Sequence, residues 1–476
     1  MNSFTAIPEI QVHARPRSEE PLDPLAPTLM LHLALDTPIY RVTIKTPHHV
    51  SISAVWINDE DEARRILQDK EKIWKKGPQT YEPFSSLVPR HLISLEGEYH
   101  LKMRSKAQAA LADAIAERRI PAEEVAKSVI RAIEYAETNP TWMGSMRNVG
   151  GKRVFVTTQM DKIIRAAALD IVSSALFGRR WNVVEDYTKT NSKAHALAGV
   201  MNELHWRVTD FAYTEWRRDP RAGPAGNLLD ILDKFVLDEI EKSKSRVEKT
   251  SEDGCMLDSW MRDKDLSCEE VRNLAMTFLT MGSENVSTGL AWCAICLSEN
   301  PTAQEEARLS KEALTVAFHE AIRLYPSVSV LTRMPIVNTS VCGYEIPRFT
   351  EVIVNMYAIH RNQKTWGEDS LEFNPRRCPV VSTQGPPNAF PFGAGARSCI
   401  GRPLTMLELH HVLLPVLQTF KLFSVGPPSS PTSHDEYEID PQAKTTPNNF
   451  VSFRPGLHSV AFVHLNNNNK TMTSSL

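Results

Sequence analysis

Apolar positions along the chain recur mainly at intervals of three and four, the spacing of one helical face. Such patterns cover residues 60–73, 97–118, 121–138, 158–178 and 187–214. Around a turn, Thr37 to Ser53 alternates apolar and polar residues, which predicts a hairpin. The charged stretch from Glu239 to Asp265 reads as a surface loop. Two short helices follow Pro301, the second ending at Tyr325-Pro326, and short strands and turns are expected over 327–360. Residues 361–398 read as irregular, a last helix runs from about Pro403 to Thr419, and 426–447 is a Pro/Ser-rich loop. The expected class is mainly α with a small β region. Five prolines before residue 28 mark 1–28 as a disordered arm, 29–465 reads as one domain, and 466–476 as a disordered tail.

The most informative element starts at Ser267. Ser267 and Glu270 form a capping box, and no breaker follows until Asn300-Pro301. Between Asn273 and Ser298 the one charged residue is Glu284, so the helix is expected to be buried on all sides. Thr277, Thr280, Glu284, Ser287 and Thr288 fall on one face of it. Their hydroxyls either bond back to carbonyls one turn earlier or line something polar. A buried carboxylate needs a partner or a task, so Glu284 is not covered by the first explanation.

Composition narrows the classes. The chain has 476 residues, 42% hydrophobic and 23% charged, enough for a large core. A net charge of -3 provides no global basic field for nucleic acid. Seven cysteines without framework spacing exclude a disulfide-stapled secreted domain. The apolar stretch Leu29–Leu35 is far short of the ~20 residues that span a bilayer. Neither a signal peptide nor a transmembrane anchor is expected, and an intracellular, cytoplasmic location follows, with peripheral membrane contact left open.

The sharpest chemistry lies just before the last helix, in Phe392-Gly393-Ala394-Gly395-Ala396-Arg397-Ser398-Cys399-Ile400-Gly401. A cysteine among backbone N–H groups at a helix start is favoured as thiolate. The glycines permit positive φ and close approach of the backbone to a flat partner. Arg397 offers a fork for a carboxylate. These positions match F-x-x-G-x-R-x-C-x-G, and the chain resembles the cytochrome P450 family, whose cysteine binds haem iron.

Further motifs arrive in family order. Glu320-Ala321-Ile322-Arg323 resembles E-x-x-R, and Phe373-Asn374-Pro375-Arg376-Arg377-Cys378 resembles F-x-P-E-R-F, departing at Arg376 and Cys378. Arg377 would complete the network. Gly97 to Arg104 resembles G-x-x-H-x-x-x-R, which makes His100 and Arg104 propionate ligands beside Arg397, with Arg333 as a third candidate. Met281-Gly282-Ser283-Glu284-Asn285-Val286 resembles [AG]-G-x-[DE]-T-[TS]. The resemblance implies that Gly282 lets the helix pass the porphyrin and that Glu284 feeds protons. Asn285 stands where the family has Thr, and an amide cannot pass a proton as a hydroxyl does. Ser287, Thr288, a water or a substrate hydroxyl would then relay protons. Cys293 and Cys296 read as core, and Lys102, Lys106 and Arg402 as either a donor-docking face or a solvated one.

The resemblance therefore implies a P450 fold, haem b (iron protoporphyrin IX) ligated by Cys399, and Phe392 beside it. It implies a monooxygenase acting on a small apolar metabolite, as in a secondary-metabolism tailoring step. Dioxygen and a separate electron donor, an NADPH-dependent reductase or a ferredoxin, would be its partners. The alternative that Asn285 raises is a haem-thiolate isomerase or peroxide-using enzyme. Walls of the substrate pocket are expected from 78–95, Phe278–Met281, and Val328, Val330 and Leu331.

Overall fold

The computed structural model describes residues 2–13, 37–45, 51–117, 119–139, 141, 143–149, 151–185, 192–209, 219, 225–250, 254–377, 388–426, 436–439 and 459–465. Its axis is the long helix Cys268–Glu299, whose capping box is complete: Ser267 Oγ accepts from the Glu270 N–H, and Glu270 Oε2 accepts from the Ser267 N–H at 2.7 Å. The helix is buried from Asn273 to Ser298 apart from Met281, Gly282 and Asn285. It packs most extensively on Met160–Phe177, itself rich in alanine, so the two backbones approach closely. A Cβ at Gly282 would lie 3.0 Å from Val172 Cγ2 of that neighbour. Gly282 thus makes room for the neighbouring helix, and it also lines the cavity described below.

Helices Gly97–Ala116, Ala122–Ala136, Lys311–Leu324 and Arg402–Glu408 complete the main core around this axis. The last of these continues through a π turn at Leu409–Leu413 into Leu414–Thr419. A six-stranded mixed sheet lies to one side, in the order Glu9–His13, Ile39–Lys45, Ser51–Ile57, Val352–Asn355, Val330–Pro335, Trp74–Lys75. It has its own apolar cluster. The 37–53 hairpin is its centre, with Thr43 opposite Ser53.

Three expectations need correction, and one element is added. Residues 9–13, placed in a disordered arm, form a strand parallel to Ile39–Lys45 and so belong to the sheet; 14–28 lie outside the described residues. The stretch from Glu239 is helical to Val247, because Leu229, Leu232, Val236 and Ile240 make a buried stripe that the dense Lys/Glu sequence masks. A second helix, Met256–Arg262, then anchors it: Asp258 accepts from Ser243 Oγ at 2.6 Å and from Arg246 at 2.7 Å. A hairpin of Ser145–Val149 and Lys152–Thr157, turning through Gly151 at φ 79°, is the added element, and the expected loop 426–447 contains the strand Glu436–Ile439. Those strands close into a five-stranded ring with Phe420–Gly426 and Ser459–His464. Cys378 and the tail 466–476 lie outside the described residues.

Candidate active site

The Cys399 loop is a tight backbone structure. Gly393 N–H donates to Phe390 O at 2.8 Å, Cys399 N–H to Phe392 O at 2.8 Å, and Ser398 N–H to Gly395 O at 3.1 Å. Gly393 and Gly395 hold φ of 67° and 66°, the left-handed region where a side chain is strained. At Gly395 a Cβ would also sit 2.8 Å from Gln68 Cα and Leu67 O, since the loop rests on the end of helix Glu60–Gln68. Cys399 Sγ opens onto a large cavity. Burial pushes its thiol up, while N–H groups of Gly401 and Arg402 and the cations Arg104 and Arg402 pull it down. Phe392, under the Arg402 guanidinium at 5.0 Å, lines the same cavity.

That cavity leaves about 310 Å³ to the centre of a water-sized sphere. One water needs only about 10–15 Å³ on that measure, so this is space for something much larger than a solvent cluster. It brings together Cys399, Arg397, His100, Arg104, Arg333, Phe392, Gly282, Glu284 and Asn285, which are separated by up to three hundred residues in sequence. Ser287 does not line it. Ser287 and Thr288 both donate to Glu284 O, at 2.8 and 3.0 Å. Thr277 and Thr280 likewise bond to carbonyls one turn back, and they also tie down a loop: Thr277 accepts from Leu92 N–H, and Thr280 Oγ1 lies 3.1 Å from His91 Nε2. Burial holds His91 at about 3, so this contact is made by a neutral ring.

One end of the cavity is crowded with cations. Arg397 pairs with Glu96 at 2.6 Å and donates to Leu95 O at 2.6 Å. Arg104 donates to Ser398 O at 2.7 Å, and Arg333 to Thr332 O at 2.8 Å. His100 is held down at about 3 by burial, then by Arg397, Arg104 and Lys76. Lys76, whose ammonium lies 4.1 Å from the Tyr81 ring centre, is pushed well below its usual value by burial and by Arg333 and Arg397. No motif pointed to Lys76. Its segment, Lys75-Lys76-Gly77-Pro78, reads as an ordinary basic turn. Buried cations that depress one another are stabilised by an anion placed among them.

At the other end, Glu284 is buried and lies 3.2 Å from Arg165 Nε, which in turn pairs with Asp161 at 3.2 Å. Sequence reasoning missed Arg165, because a single arginine on the neighbouring helix carries no local signal. Between the two ends the wall is apolar: Phe84, Leu92, Phe278, Met281, Val328 and Leu331, with Met201 and Leu204 added from Ser192–Thr209.

Behind the cysteine loop, Glu320 and Arg323 are fully buried and doubly bonded, both at 2.8 Å. Arg323 also donates to the carbonyls of His360 and Ser370, at 2.5 and 2.8 Å. Arg377 joins at 3.3 Å from Glu320 and pairs with Asp369 at 2.7 Å. Arg376 is turned outward to Glu306.

This arrangement of helices, sheet and cysteine loop defines the class. Residues 44–438 match the family model Cytochrome P450, and the chain belongs to the cytochrome P450 family. Secologanin synthase 1 of Catharanthus roseus is 29% identical over 254 residues, covering 48% of this chain and 45% of its own. Cytokinin hydroxylase of Arabidopsis thaliana is 28% identical over 296 residues, covering 56% and 57%. The chain thus spans about half the length of the curated relatives it matches. The solved cytochrome P450DA heme domain superposes with a TM-score of 0.72 at 17% identity over 90% of each chain. A six-coordinated cytochrome P450 from Thermus thermophilus gives 0.64 at 22% identity over 92% of this chain and 98% of its own. These structures show that the fold is shared. Haem held by a cysteine thiolate is the cofactor of this family, and a thiol facing a cavity with a cationic end fits it.

Proposed function

We propose that the protein is a haem-thiolate monooxygenase that places one atom of dioxygen into a small, apolar metabolite. The observation that carries this reading is the union, in one cavity, of an open cysteine sulfur, a cationic end and an apolar wall beside a buried acid. Cys399 would ligate the iron; Arg397, His100, Arg104, Arg333 and Lys76 would hold the propionates; Phe392 would pack beside the ring. When bound, haem supplies the oxidising chemistry. The chain's own residues bind the substrate against Phe84, Phe278 and Leu331, exclude water there, and hold a carboxylate at Glu284 through Arg165.

A tailoring step in secondary metabolism is supported by relatives named as a secologanin synthase and a cytokinin hydroxylase. Electrons would come from a separate reductase or ferredoxin. Among the described residues no helix is long and apolar enough to cross a membrane. Turnover under isotopically labelled dioxygen tests the reading: one labelled atom in the product supports it, and consumption of dioxygen and reductant without label in any product counts against it.

A second reading rests on Asn285. It lines the cavity with an amide where an alcohol was expected, and Ser287 and Thr288 have turned to their own backbone. A haem-thiolate isomerase or peroxide-using enzyme would turn over a hydroperoxide without any reductase.

A further inference from the structure

The long helix offers no hydroxyl at position 285, yet a hydroxyl stands beside it. Ser327 Oγ donates to Asn285 O at 2.8 Å. It comes from the turn after Lys311–Leu324, forty-two residues further along the chain. Ser327 and Asn285 both line the cavity. A Cβ at Gly289, one helical turn beyond Asn285, would lie 3.4 Å from Ser327 Oγ, so this glycine leaves room for the serine. The turn is held firmly. Tyr325 stacks on Trp292 of the long helix with ring centres 3.7 Å apart and planes within 6°. Tyr325 N–H also donates to Ala321 O at 2.7 Å.

Other hydroxyls on the wall are elsewhere. Thr277 lies eight residues before Asn285, about 12 Å along the helix at 1.5 Å per residue, and its hydrogen is given to Asn273 O. Thr80 and Tyr81 belong to the segment after Lys76, and Ser398 and Thr405 flank Cys399.

A serine hydroxyl has one hydrogen and two lone pairs. Here the hydrogen is committed to the Asn285 carbonyl, so the hydroxyl faces the cavity as an acceptor. Asn285, which lines the same cavity, brings both a donor and an acceptor on its side chain. Two such groups on the same stretch of cavity wall can serve a water, which is well held when two to four polar partners surround it.

We propose that Ser327 is a positioning residue that takes over the polar role vacated at position 285: its hydroxyl, locked to the helix carbonyl, holds a cavity water jointly with Asn285. This rests on the haem-thiolate reading above. The water would stand on the long-helix side of the cavity, at the residue that follows Glu284 in the chain. A proton could then reach it without an alcohol on the helix itself.

The test uses the haem-loaded protein and does not need its substrate. The ferrous protein is saturated with carbon monoxide, and the C–O stretching frequency is recorded in light and heavy water for wild type, Ser327→Ala and Ser327→Thr. The stretch reports polar donors around the ligand, and the solvent-isotope sensitivity reports whether an exchangeable hydrogen is among them. The expected result is a shifted stretch and a lost isotope sensitivity in Ser327→Ala, with both restored in Ser327→Thr. Identical behaviour of all three proteins overturns the proposal. So does equal disturbance in both variants, which would assign Ser327 to packing of the turn alone. A wild-type complex lacking the red-shifted Soret band of a thiolate-ligated haem would instead remove the reading beneath it.

Discussion

Lys76 sits among Arg333, Arg397 and Arg104, with Glu96 the nearby carboxylate that favours its charge. Burying cations together costs free energy in the empty fold, and an incoming dianion returns it. Lys76→Met should therefore act with opposite signs on two measurements. The haem-free protein should melt higher, and haem should transfer to an acceptor protein about ten- to a hundredfold faster, as befits loss of a charge-assisted bond. Slower or unchanged transfer would place Lys76 outside the haem site. At this scale the sequence was legible where local geometry demands a residue type. Gly393 and Gly395 need positive φ, and the cysteine needs donors around it. It was silent on Lys76, Arg165 and Ser327, since each acts through an element distant in sequence, and nothing local says which way its side chain turns. The hydroxyls of Ser287 and Thr288 show the converse: their spacing fits a polar stripe equally well whether they face a cavity or a carbonyl.

Among the elements, the cysteine loop and the helix Met160–Phe177 are the most informative to perturb. Gly395→Ala combines a disfavoured φ with a Cβ 2.8 Å from backbone atoms of Leu67 and Gln68, which cannot swing away as a flexible side chain would. The loop should fail to close, and haem content should fall to a small fraction of wild type by absorbance. On Met160–Phe177, Asp170 is fully buried and accepts from the N–H groups of Val183 and Val184. Burial raises its carboxyl to about 6, against which these bonds and Arg180 pull down. The folded state thus holds the proton more tightly than the unfolded chain does. That contribution is complete below the ordinary value near 3.8 and is lost as pH rises through about 6. Urea midpoints should fall across this window by an amount worth at most about 3 kcal/mol. Asp170→Asn should remove this part of the slope, and an unchanged slope would refute the assignment. The long helix was readable at both ends because a capping box and Asn-Pro are local signals. The 145–157 hairpin is hard to see although Gly150-Gly151 is a turn signal of the same kind, because its strands are short and flanked by helical patterns. Residues 239–247 look like a loop because lysine and glutamate dominate the local composition, whereas Ile240 and the buried Leu229, Leu232 and Val236 earlier in the same helix set the structure.

For the whole molecule, the buried Glu320–Arg323–Arg377 network joins helix Lys311–Leu324 to the irregular stretch leading to the cysteine loop. Arg323 alone reaches Glu320, His360 and Ser370. Glu320→Ala would leave that guanidinium buried and uncompensated, at a cost of about 3–5 kcal/mol. Against a usual total of roughly 5–15 kcal/mol, this should sharply reduce the yield of haem-loaded protein. A wild-type yield would mean the network is dispensable. The helical class and the order of motifs were visible from one sequence, because each motif carries its own spacing. The convergence of cations, acid and apolar wall on one cavity was not, because it depends on how the elements pack.

If Cys399 gives its thiolate to haem iron in that cavity, the absorption spectrum of the reduced, carbon-monoxide-bound protein, recorded beside Cys399→Ala, shows it. A red-shifted Soret band is expected in the wild type and is absent from the variant. A band of the imidazole-ligated kind in the wild type, or a red-shifted band that survives in Cys399→Ala, would contradict it.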